Sequence, residues 1–230
     1  SYGYVLRGAG DVDGDGFGDL AVSSPFWPNS PSQCGFVNVH HGAPAGPSTA
    51  PSAVLTLDCS MATSGALRYG FGVGGAADFD ADGFSDLAVG APAADTADRY
   101  AGWVGIHRGD PAGLPATADA TWVGVNKYDY TGRTTSAADV DGDGHSDLLA
   151  FAHFGSLNTH PQAGRLDLRL GNGGAGGRGA AVRIRQADDS APIATGGLSA
   201  TGGFRWIQQV HPLFGFGRLR LQVEAKPPGV

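Results

Sequence analysis

The chain is poor in sulfur, with two cysteines and one methionine among 230 residues. It has no apolar run near the ~18 residues that a membrane-spanning helix needs, so we expect no membrane insertion. No long segment shows the apolar period of an amphipathic helix, which argues against a helical fold. Positive charge is also scarce: the net charge of −7 disfavours nucleic acid and anionic membranes as partners.

Glycine and proline are abundant instead, with 39 and 14 residues. This composition is typical of short strands joined by tight turns. Apolar residues make up 41% of the chain, which is enough to form a core. We therefore predict an all-β fold.

The most informative feature is an acidic loop that occurs three times. Each copy places aspartates at loop positions 1, 3, 5 and 9, which is unfavourable unless a cation lies among them. Oxygen ligands of this kind suit calcium rather than zinc or a redox metal. We predict three Ca²⁺ sites, with the backbone carbonyl of position 7 as a fifth ligand. The predicted ligands are Asp11, Asp13, Asp15, Phe17 and Asp19; Asp78, Asp80, Asp82, Phe84 and Asp86; and Asp139, Asp141, Asp143, His145 and Asp147.

These loops differ from EF-hands, in which position 12 is a bidentate glutamate and helices flank the loop. Position 12 is Val22, Val89 or Ala150 here, and short apolar runs after position 9 indicate buried strands. Glycine at position 6 permits the positive φ needed to curl around an ion. These glycines are Gly16, Gly83 and Gly144. The alternative of three solvated acidic turns would require the same pattern to arise three times by chance.

The loops begin at Asp11, Asp78 and Asp139, so they recur after 67 and then 61 residues. Segment 36–46 aligns with 103–113 at the same 67-residue offset, and 165–171 is a weaker third copy. Each unit contains four strand-like segments, and radial repetition of such units forms a β-propeller. We predict three blades over 1–187, at about 1–60, 61–126 and 127–187. For 188–230 we predict a C-terminal β element, a degenerate blade or a small docking domain.

The repeats resemble the FG-GAP repeat of integrin α-subunit propellers and of bacterial secreted and surface proteins. The middle copy carries both signatures of this family, Phe71-Gly before its loop and Gly-Ala-Pro92 after it. The first copy has Ser-Ser-Pro25 where the middle copy has Gly-Ala-Pro92. The third copy lacks that second signature. The resemblance covers about 1–187 and implies a calcium-stabilised adhesion or interaction module, rather than an enzyme.

Propellers of this family usually close with about seven blades, and three recognisable ones leave strand edges unpaired. Residues 188–230, a second chain or the rest of a longer precursor could cover those edges. We expect a partner chain or self-association, and an extracellular protein or glycan as ligand. Because the chain begins in a strand-like segment, we also expect a mature or trimmed product.

Cys34 and Cys59 favour one disulfide over two free thiols, because loops of this kind suit a calcium-rich, oxidising exterior. We therefore expect a secreted or cell-surface protein. Three Ca²⁺ ions would add six positive charges and change the net charge from −7 to −1. Much of the acidity then belongs to the metal sites.

Other motifs have simpler interpretations. Arg108-Gly109-Asp110 spells the tripeptide that integrins recognise, but the first repeat has a glycine at the same place, which favours a structural turn. Segment 171–176 matches a dinucleotide fingerprint without the βαβ context that it requires. The histidines show no zinc-ligand spacing, and His40 and His107 occupy equivalent strand ends. No Gly-x-Ser-x-Gly nucleophile motif occurs.

Loop aromatics leave a second class of function open. Trp27, Tyr128 and Tyr130 lie in predicted loops, where they could stack on sugars or contact a protein. Trp103 and Trp122 lie in predicted strands and are assigned to the core. A lectin is therefore the main alternative, and a propeller-based carbohydrate-active enzyme is a weaker one without positive support in the sequence.

Overall fold

A computed structural model describes residues 2–26, 34–61, 66–141, 144–155, 164–171, 178–186 and 204–210, the last two ranges as backbone only. This part of the chain contains thirteen β-strands and a 3-10 turn at Cys59–Met61. Within the same ranges, no helix has the length and apolar character needed to cross a bilayer. The all-β prediction is confirmed.

Three antiparallel sheets follow one another, each with its strands in sequence order. The first comprises β1 Leu6–Gly10, β2 Asp19–Ser23, β3 Val37–His40 and β4 Ala53–Leu55. The second comprises β5 Gly72–Ala77, β6 Asp86–Ala91, β7 Trp103–His107 and β8 Ala120–Val123. The third comprises β9 Thr131–Ala138, β10 Asp147–Ala152, β11 Arg165–Leu170, β12 Arg178–Gln186 and β13 Phe204–Val210.

The C-terminal segment contributes one strand to the third sheet. β13 lies within 188–230 and pairs antiparallel with β12, from Ala180 opposite Val210 to Gln186 opposite Phe204. A further strand predicted over 217–224 lies outside the described residues. The third sheet therefore has five strands in the described part, where the first two sheets have four.

Two apolar clusters form the core, one on each side of the second sheet. The first lies between sheets one and two and includes Val37, Val39, Leu55, Tyr69, Leu87 and Val89. The second lies between sheets two and three and includes Phe79, Ala88, Val104, Ile106, Leu148 and Ala150. The first strands β1, β5 and β9 contact each other in that order. Sheets stacked in this way are consecutive propeller blades.

Glycine permits the close approach of neighbouring sheets. A Cβ atom added to Gly75 in β5 would collide with the carbonyl oxygen of Gly8 in β1. One added to Gly90 in β6 would collide with the carbonyl oxygen of Gly132 in β9. The sheets therefore meet backbone to backbone at these points, and a side chain would push them apart.

A disulfide closes the first repeat. Cys34 and Cys59 are bonded, with their Cα atoms 5.6 Å apart and a sequence separation of 25 residues. The bond ties the β2–β3 connection to the 3-10 turn that follows β4. On the chain-entropy account, a loop of this size stabilises the fold by roughly 3 kcal/mol.

Candidate metal sites

The three acidic loops lie side by side on one rim. Each joins the first strand of its sheet to the second. The N–H of Ser85 in the second loop donates to the carbonyl oxygen of Asp11 in the first, at 2.8 Å. The N–H of Ser146 in the third loop donates to the carbonyl oxygen of Asp78 in the second, at 2.7 Å. The loops therefore form a hydrogen-bonded series in chain order.

The aspartate at position 9 is buried in every loop and binds two backbone amides. Asp86 accepts hydrogen bonds from the N–H groups of Phe79 at 2.8 Å and Gly109 at 2.9 Å. Equivalent pairs bind Asp19, from Val12 and Gly42, and Asp147, from Val140 and Gly171. Position 9 thus fastens the start of each loop to the turn after the third strand, in addition to its predicted role as a ligand.

The aspartate at position 1 curls each loop around its own side chain. The Oδ2 atom of Asp11 accepts a hydrogen bond from the N–H of Gly16 at 2.9 Å. Equivalent bonds run from Gly83 to Asp78 and from Gly144 to Asp139, each at 3.1 Å. The three glycines have φ values of 89°, 93° and 90°. The prediction of positive φ at position 6 is confirmed, since this curvature places the glycine N–H over the first aspartate.

Carboxylate oxygens of three aspartates lie within 4.8 Å of one another in each loop. The groups are Asp11, Asp13 and Asp15; Asp78, Asp80 and Asp86; and Asp139, Asp141 and Asp147. Positions 1 and 3 thus come together in every loop, joined by position 5 in the first and position 9 in the other two. Asp143 lies outside the described residues. The ligand roles of all these aspartates stay predictions, as do those of Asp19, Asp82 and the carbonyls of Phe17, Phe84 and His145.

The electrostatics of the middle loop favour a bound cation. Burial raises the pKa of Asp86 to about 7, and the charges of Asp82 and Asp78 act in the same direction against two backbone hydrogen bonds. A divalent cation among these oxygens would stabilise the ionised carboxylates. Hard carboxylate donors in a flexible loop fit calcium, so the residues present match the predicted ion.

Two basic side chains, which the sequence did not reveal as partners, reach into the loops. In the second loop, the guanidinium of Arg108 forms an ion pair with Asp80 and lies 3.5 Å from Asp82. In the first loop, the Nδ1 atom of His41 lies 2.8 Å from Asp13. The sequence repeat could have indicated that these two residues are equivalent, because position 108 lies 67 residues after position 41. In the structure, both basic residues contact the aspartate at position 3 of their loop.

The Arg108-Gly109-Asp110 tripeptide forms the turn after β7. The N–H of Gly109 donates to buried Asp86, and Asp110 accepts a hydrogen bond from the N–H of Ala112 at 2.6 Å. Because Arg108 binds the acidic loop, the tripeptide serves the architecture of this rim.

His40 and His107 have equivalent structural roles. The Nε2 atom of His107 pairs with the hydroxyl of Tyr69 at 2.7 Å, and that of His40 pairs with the hydroxyl of Tyr2 at 3.0 Å. The Nδ1 atoms lie 2.8 Å from backbone carbonyls, of Pro115 for His107 and of Ser48 for His40. Burial lowers the pKa of His107, so this ring is held neutral between two fixed partners.

The opposite rim carries aromatic rings. The tyrosine cluster consists of Tyr100, Tyr128 and Tyr130, which lie in the β6–β7 and β8–β9 connections. The Tyr100 and Tyr130 rings are stacked with centroids 5.5 Å apart, and those of Tyr128 and Tyr130 with centroids 6.3 Å apart. Arg99 lies 5.1 Å from the Tyr100 centroid, and Lys127 lies 5.0 Å from that of Tyr128. This cluster combines flat rings with positive charge.

The three tryptophans considered in the sequence analysis are not members of the tyrosine cluster. Trp103 is buried in the first core cluster, as predicted. Trp122 is partly buried against the second, with the Arg169 guanidinium 4.4 Å from its ring centroid. Trp27 lies outside the described residues. Of the predicted loop aromatics, the structure therefore places Tyr128 and Tyr130 together and leaves Trp27 untested.

Four-stranded sheets in series, each with an acidic loop between its first two strands, define a repeat protein built from propeller blades. The family model for the FG-GAP repeat matches residues 3–39, 69–105 and 131–181, which is more than half of the chain. The chain belongs to the FG-GAP repeat family.

Several curated relatives are integrin alpha chains. The chain is 38% identical over 95 residues to integrin alpha-PS2 of Drosophila melanogaster, covering 41% of this chain and 7% of the relative. It is 34% identical over 99 residues to integrin alpha-V of Gallus gallus, covering 43% and 9%. Human integrin alpha-IIb is 40% identical over 90 residues, covering 39% and 8%. The chain thus spans less than a tenth of the length of these relatives.

Proposed function

We propose that the chain is a calcium-stabilised adhesion or interaction module that works outside the cell. The observation that carries the proposal is the threefold clustering of carboxylate oxygens within 4.8 Å on one rim. Membership of the FG-GAP family and similarity to integrin alpha chains support an adhesive role rather than an enzymatic one. The Cys34–Cys59 disulfide supports an oxidising, extracellular setting.

The function of the ions in this proposal is structural. Aspartates at positions 1, 3 and 5 would hold each ion, together with position 9 and the position 7 carbonyl. Bound calcium supplies the positive charge that lets these carboxylates stay ionised at close range. The aspartates at positions 1 and 9 then keep their loop curled and fastened to the turn after the third strand. A rigid rim fixes the spacing of the blades and thereby the surface that they present.

A partner chain or a second copy is part of the proposal. The outward sides of the first and third sheets carry exposed apolar side chains, with Tyr2 54%, Leu6 57% and Leu166 57% exposed. In the second sheet, both sides are covered by a neighbouring sheet. A further blade from another chain would bury the outer sides in the same way.

Calcium removal tests the proposal directly. Because bound calcium stabilises the folded state by mass action, EDTA should lower the melting temperature by several degrees or more, and added calcium should restore it. Isothermal titration calorimetry and native mass spectrometry should each count three ions. Asp78→Asn should remove one ion, whereas the matched change Asp110→Asn, outside the loops, should leave all three. Unchanged melting in EDTA would defeat the calcium claim.

Glycan binding is a second candidate, favoured by the tyrosine cluster. Stacked rings offer flat apolar faces to sugar rings, and Arg99 and Lys127 would favour an acidic sugar. Tyr128 is 38% exposed, so its ring is accessible. A glycan array should show binding to uronic-acid or sulfated glycans that Tyr128→Ala abolishes. Tyr2→Ala, a change at an exposed tyrosine outside the cluster, should have no effect, and an array without signal would reject this candidate.

A further inference from the structure

The three repeats place three different side chains at one position beside the acidic loop. In each repeat, the glycine N–H that binds the position 9 aspartate belongs to Gly42, Gly109 or Gly171. The residue directly before that glycine is His41, Arg108 or Leu170. The hydrogen bonds establish this equivalence independently of any sequence alignment. The three loops are thus flanked by an imidazole, a permanent cation and an apolar side chain.

The Arg108 side chain lies among the carboxylates of the middle loop. Its guanidinium pairs with Asp80, a residue of the predicted ligand set whose side chain is only 1% exposed. It also lies 3.5 Å from Asp82, the predicted ligand at position 5. A calcium ion bound in this loop and the Arg108 guanidinium would both be attracted to the Asp80 and Asp82 carboxylates, and the two cations would repel each other. Calcium and Arg108 would therefore compete for the same carboxylates.

We propose that Arg108 is a built-in competitor that makes the middle loop the weakest of the three calcium sites. Leu170 brings no competing charge to the third loop, so that site is tighter. The inference rests on the proposed calcium binding and adds an order of affinity among the loops. The arginine has a second consequence: it neutralises part of the acidic cluster when calcium is low, so the middle loop keeps a counter-charge without the ion.

The test is calcium titration of the whole chain and of three variants by calorimetry. Arg108→Gln should tighten the weakest site roughly tenfold, as expected when a nearby unit charge is removed. Leu170→Arg should weaken one site of the wild-type pattern by a similar factor. Arg7→Gln, which removes the same charge from an exposed position in β1, is the matched control and should change no affinity. Unchanged or weaker binding by Arg108→Gln would overturn the inference.

A second measurement separates competition from a general structural role. In EDTA, Arg108→Gln should melt below the wild type, because the carboxylates lose their counter-charge. In saturating calcium, it should melt at or above the wild type. A variant that is destabilised equally in both buffers would show that Arg108 is merely structural and would overturn the inference. If neither the wild type nor any variant binds calcium, the proposed function fails instead.

Discussion

Tyr2 and Tyr69 occupy equivalent places 67 residues apart, and each pairs through its hydroxyl with the histidine that ends the third strand of its sheet. Tyr69 lies in the first core cluster with no exposed surface, because the first sheet covers it. Tyr2 is 54% exposed, because no sheet covers that side in the described part of the chain. One sequence element therefore has two environments, and the neighbouring blade makes the difference.

The glycines of the first strands show the same contrast. Gly75 and Gly8 are also 67 residues apart, and a Cβ atom on Gly75 would collide with the backbone of β1. A Cβ atom on Gly8 would meet nothing within 4 Å. The repeat thus keeps the glycine that a packed interface requires, even where nothing in the described part of the chain packs against it. Matched substitutions in the first and second repeats can test this contrast.

The largest difference is expected for truncation of the two tyrosines. Tyr69→Ala should reduce the free energy of unfolding by about 3–5 kcal/mol, because it leaves a cavity and removes the partner of buried His107. Tyr2→Ala should reduce it by less than about 1 kcal/mol. Urea denaturation in saturating calcium measures both values. Similar losses in the two variants would mean that the outer side of the first sheet is also covered in solution.

Adding a methyl group should destabilise the fold at Gly75 but not at Gly8. Gly75→Ala should destabilise the fold by about 1–3 kcal/mol, because the sheets must separate to admit it. Gly8→Ala should be neutral or stabilising by up to about 1 kcal/mol, because it lowers the entropy of the unfolded chain without a clash. Denaturation midpoints of both variants decide the matter, and a destabilising Gly8→Ala would contradict the prediction.

The smallest effect concerns pH. Burial lowers the pKa of His107 below its ordinary value of 6.5, so the unfolded chain takes up a proton before the folded one does. His107 should therefore lower the free energy of unfolding as the pH drops below 6.5, by at most about 1.4 kcal/mol per pH unit. Asp86, whose pKa is raised to about 7, acts in the opposite direction, so the His107 contribution is the difference between the wild type and a His107 variant. His107→Gln should reduce that slope, measured by denaturation at pH 7.5 and pH 5.5. An unchanged slope would show that His107 is not the responsible group.

Much of the fold was predictable, because several positions of the repeat hold residue types that favour only one local structure. The glycine at position 6 permits the curl of the loop, and the structure shows positive φ at all three copies. Apolar runs after each position 9 aspartate become the buried second strands, such as Asp86–Ala91. The sheets and the order of their strands then follow from the four strand-like segments that each repeat contains.

The long-range contacts within a repeat were harder to predict, because they join side chains far apart in sequence. Single motifs did not reveal that Arg108 pairs with Asp80, or that Tyr69 pairs with His107. The double role of Asp86, as a predicted ligand and as an acceptor of two backbone hydrogen bonds, was also missed. The partners in these contacts lie between 7 and 38 residues apart in sequence, so no local motif links them.

The hydrogen bonds between the loops have a direction. The carbonyl oxygen at position 1 of one loop accepts a hydrogen bond from the N–H group at position 8 of the next loop. Asp11 accepts from Ser85 in this way, and Asp78 accepts from Ser146. Any unit duplicated in tandem would inherit both a donor and an acceptor that already match its neighbours. A gene encoding such a protein can therefore lengthen by whole units without inventing a new contact. The direction of these hydrogen bonds therefore fixes the order of neighbouring loops along the rim.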